Sequence, residues 1–188
     1  EFIPDFKISV NISPKQLEKK RIAAQITRLL TKHGLPGEAL ILEITESAQI
    51  DENQDVYDIL TKLRQVGIQI AIDDFGTGYS NLGNLKHLHA NILKVDRVFI
   101  RDIKENGYNY NLIHNVIEFA KSNSLKVCLE GVENTSELIV LSGLQPDIFQ
   151  GYLFDKPCSA DMLEAKYFIS NTEEYAKRLE RFDRLGKE

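Results

Sequence analysis

Six short apolar runs punctuate this chain, and each carries a polar or charged residue at or near its end. "KISVNI" (Lys7–Ile12) has Asn11, "LILEIT" (Leu40–Thr45) has Glu43, and "IQIAID" (Ile68–Asp73) ends on Asp73. "NILKVD" (Asn91–Asp96) has Lys94, "LKVCLE" (Leu125–Glu130) ends on Glu130, and "DIFQ" (Asp147–Gln150) ends on Gln150. Helical patterns separate the runs. In "SPKQLEKKRIAAQITRLLTKHG", Ser13 reads as N-cap, Pro14 as the first helical residue and Gly34 as the stop, with Ile22, Ile26, Leu29 and Leu30 on one face. In "DENQDVYDILTKLRQVG", Val56, Ile59, Leu60 and Leu63 share a face; in "NYNLIHNVIEFAKSNS", Leu112, Ile113, Val116, Ile117 and Ala120 do. "TSELIVLSG" is a shorter helix, and two more patterns cover Ser159–Phe168 and Thr172–Leu185. Nearly all-apolar strands alternating with helices mean parallel strands covered by helices, an α/β fold.

The spacing narrows this further. Successive strand-end residues lie 20 to 36 residues apart, and a βα unit of a barrel takes about 31, since eight make about 250. Polar groups at the C-terminal ends of successive parallel strands converge on one mouth, where a (β/α)8 barrel of the TIM type places its chemistry. Six strands where a closed barrel wants eight predict an incomplete barrel. Short connections and the absence of any low-complexity stretch predict one domain over residues 1–188, with 171–188 a mixed-charge outer helix.

Each strand-end residue has an ordinary explanation. Asn11 suits a turn, Glu43 a solvated edge, Lys94 a snorkelling side chain and Glu130 a loop cap. Taken singly those explanations hold; six strands in order, each ending on a potential ligand or catalyst, favour a site. The adjacent carboxylates Asp73 and Asp74 sharpen the point. Two neighbouring acids repel, and burying either unpaired is costly; a cation removes the cost. Asn11, Glu43, Asp73 and Asp74 are hard oxygen ligands that suit Mg²⁺ or Mn²⁺ and not zinc. Lys94 and Glu130 are left for acid–base work.

Six segments, "SVNISPKQL", "LILEITES", "AIDDFGTGYSNL", "LKVDRVFI", "LEGVEN" and "FQGYLFDKP", follow one another in the order of a known family and span almost the whole chain. The chain closely resembles the EAL domain, the bacterial cyclic di-GMP phosphodiesterase module. The resemblance implies metal-dependent hydrolysis of cyclic di-GMP to linear pGpG. It implies that Asn11, Glu43 and Asp73 ligate a first divalent metal, and that Asp74 serves a second metal and its bridging water. Lys94 would hold the attacking water and a phosphate oxygen, and Glu130 would act as general base or second-metal ligand. Glu133, Gln150 and Pro157 match supporting pocket positions. Glu46 matches the anchor of the "DDFGTG" loop, through which the family's usual homodimer forms. Two cations roughly 3.5–4 Å apart would polarise the phosphate and lower the pKa of the water.

One feature departs from the family pattern. The chain does contain "EAL", at Glu38–Leu40, but this tripeptide follows a "LPG" turn and stands at the beginning of a strand whose end is already held by Glu43 and Glu46. The family's own motif, an arginine shortly after it and the first two strands are expected before residue 1. On that expectation the chain by itself turns over slowly and self-associates through open sheet edges.

Bulk properties exclude other classes. Net charge is −5 with no basic run, which argues against DNA or RNA as partner and leaves a small anion held through metal. No apolar stretch reaches the roughly 18 residues of a membrane span. Cys128 lies in an apolar run and Cys158 makes no CxxC pattern, a usage that suits the reducing cytoplasm. His87 and His89 lack a third ligand and read as surface residues; His33 suits a helix C-terminus. Two further readings compete with the enzyme: a receptor that binds cyclic di-GMP without cutting it, and a vestigial scaffold. Intact strand ends favour the enzyme over both.

Overall fold

The structure is a computed structural model that describes residues 6–46, 54–77 and 88–169. Within them, six strands form one all-parallel sheet: β1 (Ile8–Asn11), β2 (Leu40–Thr45), β3 (Gln69–Phe75), β4 (Ile92–Val95), β5 (Lys126–Glu130) and β6 (Ile148–Gln150), hydrogen-bonded in sequence order. Among the described residues the helices are α1 (Pro14–Leu17) and α2 (Ile22–Lys32) after β1, α3 (Gln54–Gln65) after β2, α4 (Tyr108–Ser122) after β4, α5 (Thr135–Ser142) after β5 and α6 (Ala160–Glu164) after β6. The result is an open (β/α) half-barrel with β1 and β6 as its edges.

Strand pairing and pleat together decide which residues point where. Ile41, Ala71, Ile92 and Cys128, with Ile148 against them, form a small inner cluster. The opposite face of the strands supplies two larger cores beneath the helices. Leu42, Ile44 and Ile70 pack with Val56, Ile59, Leu60 and Leu63 of α3 and with Leu17. Ile72, Phe75, Leu93, Val95, Val127 and Leu129 pack with Ile113, Ile117 and Ala120 of α4 and Leu138 and Leu141 of α5. Leu88 touches both cores. Full burial of such a side chain contributes about 1.5–3 kcal/mol, so the α3 stripe alone fixes that helix to the sheet.

Departures from the sequence pattern have local causes. The helix expected from Pro14 to His33 is broken into α1 and α2. Ser13 and Gln16 make a reciprocal cap and Leu17 is fully buried, but Glu18–Arg21 are all exposed, with no apolar side chain to hold the next turn on the core. Lys19 N–H bonds to Gln16 O and Ile22 N–H to Lys19 O across the break. Leu29, expected on the apolar face, is exposed, while Ala23 is buried and Ile22, Ile26 and Leu30 lie partly so. β3 runs on past Asp73 to Phe75. The "EAL" tripeptide forms a 3₁₀ turn, Gly37–Ala39, leading into Leu40 at the N-terminal end of β2, away from Glu43. His33 is the C-cap of α2, and Gly34 follows at φ +65°. His87, the part of the loop after Asp74 from residue 78 on, through which a homodimer is expected, and the outer helix expected over 171–188 lie outside the described residues. Among the described residues no helix is long and apolar enough to cross a membrane.

Candidate active site

The site is built by a two-residue step. In a strand, residues i and i+2 share a face. Ile41, Ala71, Ile92, Cys128 and Ile148 make or touch the inner cluster, so Glu43, Asp73, Lys94, Glu130 and Gln150, each two residues further on, share its face at the C-terminal ends. Asn11 joins them through its pairing with Glu43 in the β1–β2 register. The stack of apolar residues forms the floor, and the polar residues stand above it.

β3 solves the problem of two adjacent acids with a bulge. Ile72 pairs with Leu93 and Phe75 with Val95, so β3 spends one residue more than β4 over the same stretch. Strict alternation would put Ile72 and Phe75 on opposite faces; the extra residue lets both enter the same core. Asp73 and Asp74 are thereby left between them at the strand end. Asp74 takes up the irregularity with φ +56°, a left-handed backbone that Asp and Asn adopt more readily than most residues. Glu46 closes the turn: its N–H donates to Asp73 O (2.8 Å) and its Oε2 accepts from Gly76 N–H (2.9 Å). Gly76 has φ +94°, and a Cβ there would stand 3.0 Å from the Phe99 ring, so a larger residue would push the turn outward.

Lys94 is the centre of the cluster. Only 5% exposed, its Nζ lies 2.8 Å from Glu43 Oε1, 3.0 Å from Asp73 Oδ1 and 2.7 Å from Glu130 Oε1. Burial pulls the lysine pKa down, but the hydrogen bonds to Glu130, Glu43 and Asp73 outweigh it and push it above its ordinary value. Burial raises the Glu130 carboxyl, against the opposing pull of Lys94. The Asp74 carboxyl is raised by burial first, then by Asp73 and Asp96. Below them the Cys128 thiol is pushed up to about 12 by burial in the inner cluster, so it is a packing group and not a nucleophile.

The structure therefore gathers Glu43, Asp73, Lys94 and Glu130 into direct contact and puts Asp74 beside them. Asn11 and Gln150 are exposed at the two flanks of the row, Glu133 is exposed on the β5–α5 loop, and Pro157 is exposed between β6 and α6. Two acids were not singled out by the strand-end pattern. Asp96 sits just past β4, acts on Asp74 and accepts the Val98 N–H at 2.8 Å. Glu137 is buried in α5, where its Oε2 accepts from the N–H of Glu133 (2.9 Å) and Asn134 (3.3 Å) and so holds the loop that follows Glu130. Its readable signal is the spacing Asn134-x-x-Glu137 of a reciprocal helix cap.

As a donor set the cluster fits a hard divalent cation: oxygen ligands only, and carboxylates that outnumber the one ammonium among them. Among the described residues, no three Asp, Glu, His or Cys side chains are already grouped to hold one ion; the carboxylates are drawn around Lys94 instead.

The chain is similar to known proteins over most of its length. The chain is 38% identical over 151 residues to the Escherichia coli protein named probable cyclic di-GMP phosphodiesterase PdeA, covering 80% of this chain and 21% of that protein. It thus spans about a fifth of the length of that relative. The PaMucR phosphodiesterase in its c-di-GMP complex superposes with a TM-score of 0.78 at 34% identity, over 85% of this chain and 71% of the other. The manganese/cy-diGMP complex of Klebsiella pneumoniae BlrP1 superposes with a TM-score of 0.74 at 30% identity, over 81% of this chain and 39% of the other. The family model of the EAL domain matches residues 1–157, a stretch that holds all six strands and every residue of the cluster, and the chain belongs to the EAL domain family.

Proposed function

We propose that this domain hydrolyses cyclic di-GMP to linear pGpG in a reaction that requires Mg²⁺ or Mn²⁺. The observation that carries the reading is the buried Lys94 ammonium in contact with Glu43, Asp73 and Glu130 at the C-terminal mouth of the sheet. A family whose named members act on this cyclic dinucleotide supports the choice of substrate. Asn11, Glu43 and Asp73 would hold one cation and Asp74 a second. When bound, the metals polarise the phosphate and lower the pKa of a water. Glu130, its carboxyl raised by burial, would take a proton from the attacking water. The water oxygen would form a bond to phosphorus as the P–O3′ bond breaks; the 3′ oxygen takes a proton from solvent and Glu130 returns its own to solvent, giving a 5′-phosphate and a 3′-hydroxyl. Lys94 places positive charge against a phosphate oxygen, where negative charge grows in the transition state. Gln150 and Glu133, at the rim, face incoming substrate.

The test is product analysis by chromatography on the full chain, with Mg²⁺, with Mn²⁺ and with chelator. Metal-dependent conversion of cyclic di-GMP to pGpG is expected. Binding seen by calorimetry without turnover under either metal would replace the enzyme by the receptor reading.

A further inference from the structure

Lys94 is one of three buried polar or charged residues among those described, with Glu43 and Glu137. Its partners are the carboxylates a divalent cation would need. Three oxygens at 2.7, 2.8 and 3.0 Å from one nitrogen make a cation site with a cation in it. Mg²⁺ requires oxygens at about 2.0–2.1 Å, so a metal ion on Glu43 and Asp73 must draw those carboxylates closer than the ammonium does. Lys94 holds Glu43 Oε1 and Asp73 Oδ1, and sharing these carboxylates with an ammonium spreads their negative charge over two cations and weakens the hold on the metal. The backbone of Lys94 is held by its pairing with Cys128 of β5 and by the pairing of its neighbours Leu93 and Val95 with Ile72 and Phe75 of β3, whereas its four-carbon stem is flexible. What can yield is the ammonium.

We propose that Lys94 is a resident counter-ion that neutralises the strand-end carboxylates of the metal-free domain and gives up Glu43 and Asp73 to an entering divalent cation, keeping Glu130. Metal entry and the freeing of Lys94 are then one event: the ammonium is delivered to the phosphate position only when the cations are in place. A fold that must bury several acids on adjacent strands can in this way assemble before metal arrives, since an unpaired buried carboxylate is costly. The inference rests on reading these carboxylates as a divalent-metal site, and its consequences appear in metal binding and stability, independent of turnover.

The experiment compares the full wild-type chain with Lys94→Met, both stripped with chelator. Mn²⁺ is titrated by calorimetry, and melting is followed with and without Mn²⁺. Removing the competing charge should tighten Mn²⁺ binding roughly tenfold or more, lower the metal-free melting temperature and enlarge the upward shift that Mn²⁺ produces. Equal or weaker Mn²⁺ binding by Lys94→Met, with wild type still binding and hydrolysing, overturns the counter-ion role alone. Failure of both chains to bind Mn²⁺ removes the metal reading and this inference with it. Should Lys94→Met not fold without metal, the wild type decides. The Lys94 ammonium resonance in an ¹⁵N-labelled sample should shift in step with Mg²⁺ binding, and an unchanged resonance at saturation overturns the proposal.

Discussion

Replacing Gly151 by alanine tests how tightly the loops after β5 and β6 are locked together beside the site. The new Cβ would stand 2.2 Å from Val132 O, 2.4 Å from Val132 N and 2.8 Å from Val132 C. These are backbone atoms and cannot rotate away. Val132 is fully buried, its N–H donates to Gln150 O at 3.1 Å, and its carbonyl accepts the Leu153 N–H at 3.0 Å. Relieving the clash means parting the two loops, which loses both hydrogen bonds at about 1 kcal/mol each and adds an overpacking cost of about 1–3 kcal/mol. The expected destabilisation is about 3–5 kcal/mol. For a chain of this size that lowers Tm by about 10 °C. Scanning calorimetry measures the shift, and hydrogen exchange should show faster exchange at the Val132 and Leu153 amides. Because Val132 lies two residues beyond Glu130, turnover should fall as well. A variant melting within about 2 °C of wild type, with the Val132 amide still protected, would show that the contact yields at little cost and refute the reasoning.

Other expectations can be checked in parallel. Glu130→Gln keeps the side chain's size and removes its basicity; turnover should drop by about 10²–10⁴-fold with cyclic di-GMP affinity nearly unchanged in calorimetry, and normal turnover would take Glu130 out of the mechanism. Asp74 has a raised carboxyl pKa, so the stability tied to its proton is complete below its ordinary pKa and is lost as pH rises through the raised value. Metal-free Asp74→Asn should therefore melt higher than wild type at neutral pH and lose that advantage below about pH 4; an advantage independent of pH would point to the left-handed backbone alone. Asp147→Ala leaves the buried Val127 N–H without the Asp147 Oδ2 it donates to at 2.8 Å, at a cost of about 1–3 kcal/mol, and an unchanged denaturation midpoint would contradict it.

Much of this molecule is written in apolar periodicity. β2 occupies the run Leu40–Thr45 and β5 lies within Leu125–Glu130, because all-apolar strands bounded by turns have few alternatives. The α3 stripe is buried as its spacing requires. Breaks within a polar run are another matter: Glu-Lys-Lys-Arg at 18–21 favours helix by propensity, and only the position of the core stops α1 at Leu17. The bulge at Asp73–Asp74 was equally hidden, since a count of alternation ends the strand one step before it. Convergence of the strand ends could be inferred from the sequence. That Lys94 would draw three carboxylates onto itself could not, because it depends on register between strands far apart in the chain.

The outer face of the sheet is served by two cores, and β3 divides between them, Ile70 going to one and Ile72 to the other. This gives the sheet two packing units with a seam along β3. Asn11 and Glu43 belong to the first unit, Lys94, Glu130 and Gln150 to the second, and Asp73 and Asp74 to the strand that the two share. The ion pair from Lys94 to Glu43 thus crosses the seam, and anything bound among these residues is gripped by both units at once. Opening of either unit would dissolve the site, while a ligand seated there would bind the two into a single unfolding transition. Occupancy of the mouth and cooperativity of the fold are, in this architecture, readings of the same coupling.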